Sequence, residues 1–188
     1  MSIEEYQKQG FFIEKGLFSK EEMNAFRKIA IDTFMVQIRR LNLSNEKIEH
    51  LDDFDKKIFE LFTSHRDAFN GCAKLCQNLI QLKRYSVSEK IIALLYEMGL
   101  TSPAFCMVPL LLINSPLLVK QYQTPPHQDW RSMQGSLDSI VVWIPLVDTS
   151  KEIGALEVIP GSHKLGLLNT VQDPWFRKIK DDALDENE

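Results

Sequence analysis

The stretch VVWIPLVDTSKEIGALEVIPGSHKLGLL, Val141–Leu168, decides how the chain is read. An apolar, β-branched and aromatic run gives way to the turn TSKEI, then to a second apolar run, GALEVIP, and then to the tight turn PGSH. In that turn Gly161 permits a backbone conformation that residues with a Cβ resist. Short runs of this composition bounded by turn residues read as strands. The pattern continues toward the N-terminus, where AFCMVPLLLI (104–113), LLVKQYQ (117–123) and SIVVWIPLVD (139–148) are parted by NSP and RSMQGSLD. Strands at this spacing predict a sandwich or a barrel.

Before position 100 the chain has a different character. GFFIEKGLF (10–18) suits a short strand, and then SKEEMNAFRKIAIDTFMVQI opens with Ser19 and Glu22 at capping-box spacing. Met23, Phe26, Ile29 and Phe34 follow at helical spacing, which predicts an amphipathic helix. Asp53–Thr63, Arg66–Leu82 and Ser88–Met98 repeat the periodicity, and Gly99 stands where a helix C-terminus wants a glycine. The expectation is one α+β domain over 1–188, mainly helical over 1–100 and β over 101–188, with the helices on one face of the sheet.

Composition narrows the function classes. A net charge of −4, with lysines scattered among carboxylates, offers neither a nucleic-acid footprint nor a patch for anionic membranes. The longest apolar stretch, FCMVPLLLI, is too short to span a bilayer and contains Pro109. Cys72, Cys76 and Cys106 form no regular framework, and the acids in MSIEEYQKQG stand where a signal peptide would be basic and apolar. A reducing cytoplasm and a small-molecule ligand are expected.

The chemistry concentrates in PPHQDW, Pro125–Trp130. His127 and Asp129 are two residues apart, so on a continuing strand both side chains face the same way and converge on one ion. A bare histidine-x-aspartate recurs by chance, and a surface turn is the competing reading. The context favours metal: two prolines stiffen the approach, a strand precedes and another follows. Two histidines and a carboxylate on one face of an ion form the facial triad of non-haem iron(II) oxygenases.

The chain resembles the phytanoyl-CoA dioxygenase family of Fe(II)- and 2-oxoglutarate-dependent oxygenases. The resemblance rests on GFFIEKGLFSKEE, on HQDW at 127–130 and on Val141–Leu168. It implies a double-stranded β-helix, the cupin-like jelly roll, with helices on the larger sheet and iron at the mouth of the barrel. His127 and Asp129 match the family's first histidine and acidic iron ligands. Trp143 falls on the strand that lines the family's pocket, which implies contact with 2-oxoglutarate, although a core tryptophan reads equally well. Gln128 and Trp130 flank the ligands and should point to the opposite face as structural residues, and PGSH reads as a marker of the fold.

In the family a second histidine ligand and an arginine for the distal carboxylate of 2-oxoglutarate follow the PGSHK turn on late strands. Here no histidine follows His163, and Arg177 is the one later arginine. The expectation is therefore a jelly roll incomplete at its C-terminus. It is either a truncated copy of a hydroxylating enzyme acting on a small organic substrate, or a non-catalytic binding or assembly protein with half of an iron site. A homo-oligomer or partner would then cover the open sheet edge. His163 reads as a turn residue, and His50 and His65 as helix-end or surface residues. Lys120 and Arg177 read as solvated cations, and Cys72 and Cys76 as part of an apolar helix stripe rather than a metal pair.

Overall fold

Ser19 starts the helical layer. In the computed structural model, which describes residues 3–44, 51–113, 124–172, 177–180 and 182–185, the Ser19 hydroxyl accepts from the Glu22 backbone N–H at 3.1 Å. The Ser19 N–H donates to the Glu22 carboxylate at 2.7 Å. This reciprocal pair satisfies two donors that a helix start leaves open, and α2 runs from it over Lys20–Arg40. Acids Glu21 and Glu22 occupy its first turn and Arg39 and Arg40 its last, matching the helix dipole at both ends.

A short α1 (Ile3–Gln9) precedes it. The intervening GFFIEKGLF forms no strand: Gly10 and Gly16 take φ of 80° and 74°, which turns the chain out of the extended region at both ends. Its aromatic residues serve as anchors instead. Phe12 meets Tyr6 edge-on, and Phe18 meets Tyr85, which also stacks on Phe26 with ring centres 5.2 Å apart.

Four more helices follow, α3 (Leu51–Ser64), α4 (Arg66–Cys76), α5 (Ile80–Ser86) and α6 (Glu89–Glu97). The single helix expected over Arg66–Leu82 is broken between α4 and α5, where Leu79 is extended at φ −57°, ψ 132°. Each piece buries apolar residues of its own, Cys72 and Cys76 in α4 and Leu82 in α5. Gly99, at φ +94°, follows α6 as expected. Helices α2, α3 and α4 enclose the core, in which Phe34, Ile38, Ile58, Leu61, Cys72 and Cys76 are almost wholly removed from solvent.

The first apolar stretch of the second half lies against this layer. Gln77, in the break between α4 and α5, accepts from the Leu111 N–H at 2.7 Å and donates to the Leu111 carbonyl at 2.9 Å. Leu111 and Ile113 pack on the core, whereas Val108, Leu110 and Leu112 are more than half exposed. That alternation is the period of a strand with one face covered.

The sheet itself is small among the described residues. It pairs β1 (Thr170–Gln172) with β2 (Arg177–Ile179) antiparallel, with Thr170 opposite Ile179. The stretches 104–113, 139–148 and 154–160 carry no ladder bonds and leave Val141, Val142 and Leu156 exposed. The stretch LLVKQYQ falls outside the described residues. Helices and a two-stranded ribbon are thus the observed architecture, where the sequence predicted a fuller sheet.

Leu61→Ala should lower unfolding stability by about 2–5 kcal/mol, the usual cost of truncating a fully buried leucine. Ser19→Ala should lower it by about 1 kcal/mol through the lost cap. Both are read by urea denaturation, and equal effects at the two sites would contradict this core.

Candidate metal centre

The site begins with the two prolines. Pro126 has no N–H to place and its carbonyl accepts from Ile179 N–H at 2.8 Å, which ties the approach to β2. The Pro125 carbonyl lies 2.8 Å from Nδ1 of His127. A carbonyl only accepts, so Nδ1 carries the proton and Nε2 is the ring nitrogen turned away from Pro125. Nε2 then faces Asp129 Oδ1 at 3.2 Å.

The two ligands predicted from sequence are therefore brought together, though not by the strand expected. Asp129 has helical angles, φ −55° and ψ −36°, and opens the short helix α7 (Trp130–Met133). A bend into a helical turn, rather than strand alternation, swings the carboxylate back under the imidazole. The helix is a single turn and ends at Gln134, which is left-handed at φ 47°.

The flanking residues behave as braces. The Gln128 amide donates to the Gly166 carbonyl at 2.7 Å and accepts from the Leu168 N–H at 2.9 Å. Arg131 donates from its guanidinium to the Leu168 carbonyl at 2.7 Å. The Trp130 indole N–H and the Arg131 Nε–H are buried without a hydrogen-bond partner. None of these braces was legible at the sequence level beyond the structural reading of Gln128 and Trp130, because side-chain bonds to distant backbone leave no spacing pattern.

The donor geometry fits a metal. Two donors each about 2.1 Å from one ion and at right angles stand about 3 Å apart, close to the separation here. An imidazole whose far N–H is held by a carbonyl is the usual form of a metal-ligating histidine. The His127 ring is partly buried while the Asp129 carboxylate is half exposed, so an ion can reach the pair. The described residues contain no group of three or more His, Cys, Asp and Glu able to hold a metal.

The remaining candidates lie elsewhere. His163 Nε2 is 2.9 Å from the Gln7 carbonyl, and Gly161 N–H donates to the Gln9 carbonyl at 2.8 Å, so the PGSH turn caps the end of α1. A side chain at Gly10 would overlap the His163 imidazole. His65 precedes α4 and His50 and Lys120 fall outside the described residues. Arg177 is an exposed residue at the start of β2. Cys72 and Cys76 are buried in the core, and burial pushes the Cys76 thiol up to about 11. Trp143 is 39% exposed on a stretch without regular secondary structure.

The bond to Asp129 raises the His127 pKa above its ordinary value of 6.5, against the opposing effect of burial. A raised histidine pKa means that the bond's contribution is fully present below the unfolded value and is lost as pH rises through the folded one. In metal-free protein, Asp129→Asn should bring the His127 titration down, as followed by NMR of the ring. Metal binding requires the proton to leave Nε2, so affinity should increase with pH through the same range. An unchanged titration in the variant would contradict the pairing.

The phytanoyl-CoA dioxygenase (PhyH) profile matches residues 6–187. Over 196 aligned residues the chain is 25% identical to the phytanoyl-CoA dioxygenase domain-containing protein 1 homolog of Dictyostelium discoideum, covering 92% of this chain and 68% of that protein. It is 40% identical over 58 residues to the 1-deoxypentalenic acid 11-beta-hydroxylase of Streptomyces exfoliatus, which covers 31% of this chain and 20% of the hydroxylase. No solved structure matches the chain. Members of the matched family are generally Fe(II)- and 2-oxoglutarate-dependent oxygenases of cupin-like fold. With the profile extending over nearly its whole length, the chain belongs to the phytanoyl-CoA dioxygenase family.

Proposed function

We propose that the chain is an Fe(II)- and 2-oxoglutarate-dependent oxygenase that hydroxylates a small organic substrate. The observation that carries this reading is the His127–Asp129 pair, 3.2 Å apart, with the far ring nitrogen held by the Pro125 carbonyl. The named hydroxylase among its relatives supports the reaction class.

Bound iron would couple the oxidative decarboxylation of 2-oxoglutarate to hydroxylation, so that substrate C–H, 2-oxoglutarate and O2 give C–OH, succinate and CO2. The chain's own part is to hold and orient. His127 offers a neutral Nε2 whose direction is set by the Nδ1–H bond to Pro125. Asp129 supplies an anionic oxygen that offsets one positive charge of the ion. Trp143 contacts the cosubstrate in this reading, which its place on an exposed apolar stretch supports. The stretches around residues 108–112 and 141–143 are the inner face of a jelly roll, as their exposed apolar side chains suggest. Three free cysteines suit a reducing cytoplasm, and no helix among the described residues is long and apolar enough to cross a membrane.

Anaerobic addition of Fe(II) and 2-oxoglutarate should give a visible charge-transfer band, absent in His127→Ala. Release of succinate on admitting O2 should fall by at least about 100-fold in that variant, as expected when an ion's orienting ligand is lost. A folded wild-type chain that gives no band would instead assign it a binding or assembly role with half of an iron site.

A further inference from the structure

We propose that Gln128 and Gly166 form a positioning clamp for the metal-ligand pair, so that the exit of the PGSH turn fixes the geometry of a site 38 residues earlier in the chain. The proposal rests on the metal reading of His127 and Asp129.

Gln128 lies between the two ligands, and its amide bonds one short backbone segment both as donor and as acceptor. It donates to Gly166 O at 2.7 Å and accepts from Leu168 N–H at 2.9 Å. Two bonds of opposite sense to residues two apart hold a planar amide in one orientation, as a neighbouring strand would. The backbone at Gln128 is thereby fixed, and with it the directions in which His127 and Asp129 leave the chain on either side.

Gly166 is the second half of the device. Its φ of 70° and ψ of −151° fall in a region essentially reserved for glycine. Nothing lies within 4 Å of where a Cβ would stand, so the surroundings do not demand a glycine there. The demand comes from the backbone conformation, and that conformation aims the Gly166 carbonyl at Gln128. The Arg131 bond to the Leu168 carbonyl, at 2.7 Å, holds the same segment from the far side of the ligand pair. Neither Gln128 nor Gly166 need touch the ion, which makes them positioning residues.

Full-length wild type, Gln128→Met, Gly166→Ala and the double variant are compared by titration with Co(II), an oxygen-stable probe of an N,O site. Each single variant should weaken Co(II) binding by about 10–100-fold, the range seen when outer-sphere partners of metal ligands are removed. The double variant should be no weaker than the worse single, because both break one clamp. Losses that multiply, or a Gln128→Met protein that binds like wild type, overturn the proposal. Far-UV circular dichroism and the thermal midpoint identify any variant that has lost its fold.

A wild type that binds no Co(II) defeats the metal reading rather than the clamp. The clamp is then decided in metal-free protein by the ring nitrogen shifts of His127 and the exchange rate of the Leu168 amide. Matching changes of both in the two single variants support it, and unchanged His127 shifts alongside a faster Leu168 amide overturn it.

Discussion

A backbone N–H or C=O removed from water must find a partner, and extended segments without a neighbouring strand cannot find it in a ladder. This requirement governs the second half of the chain. Two glutamines meet it. Gln77 gives Leu111 both of the bonds that a strand would supply. Gln128 does the same for Gly166 and Leu168. The first clamp fastens an apolar stretch to the helical layer, and the second fastens the ligand pair to the exit of the PGSH turn. Each amide can do this because its carbonyl and NH2 present acceptor and donor in one plane, a miniature of the peptide group itself.

The parts of the fold that were legible in the sequence are those decided within a few residues. Ser19 and Glu22 predict their own capping box, and Gly99 its place at a helix end. Cys72 and Cys76 read correctly as core because a helical stripe is a local property. The break at Gln77–Leu79 was not legible, since what competes with the helix there is a bond to Leu111, 34 residues away. The GFF segment misled for a related reason: its composition suits a strand, but two glycines at positive φ and a partner in Tyr85 make it an aromatic anchor. At the site, the convergence of His127 and Asp129 was legible from HQD, whereas the means of bringing the two together was not. A helical turn at Asp129 achieves what strand alternation was expected to achieve.

The histidines illustrate how context assigns one side chain to different tasks. His127 and His163 each place a ring nitrogen near a backbone carbonyl, at 2.8 and 2.9 Å. In His127 the bond engages Nδ1 and leaves Nε2 turned toward the Asp129 carboxylate. In His163 the bond engages Nε2, the outer nitrogen, and the ring lies against Gly10 at the end of α1. The outer nitrogen is then committed to fastening a turn, and no side chain larger than hydrogen fits at Gly10 to displace it. The same residue type thus fastens a turn in one place and pairs with a carboxylate in the other.

Energetics link the apolar faces to the site. Ordering one residue of extended backbone costs about 1–2 kcal/mol, and burying one Val or Leu returns about 1.5–3 kcal/mol. A strand with one covered face has a buried side chain at every second residue, so over two residues gain and cost roughly cancel. The stretch around Leu111 is at this balance point, with Leu111 and Ile113 packed and Leu110 and Leu112 outward. Covering the outward face would put a second apolar side chain on the favourable side for every pair of residues, without ordering any more of this backbone. Were these side chains the inner wall of the proposed jelly roll, they would also exclude water from an ion bound at the half-exposed Asp129. Stability and the proposed reactivity then call for the same second layer, and the alternation over 108–113 is the feature that asks for it.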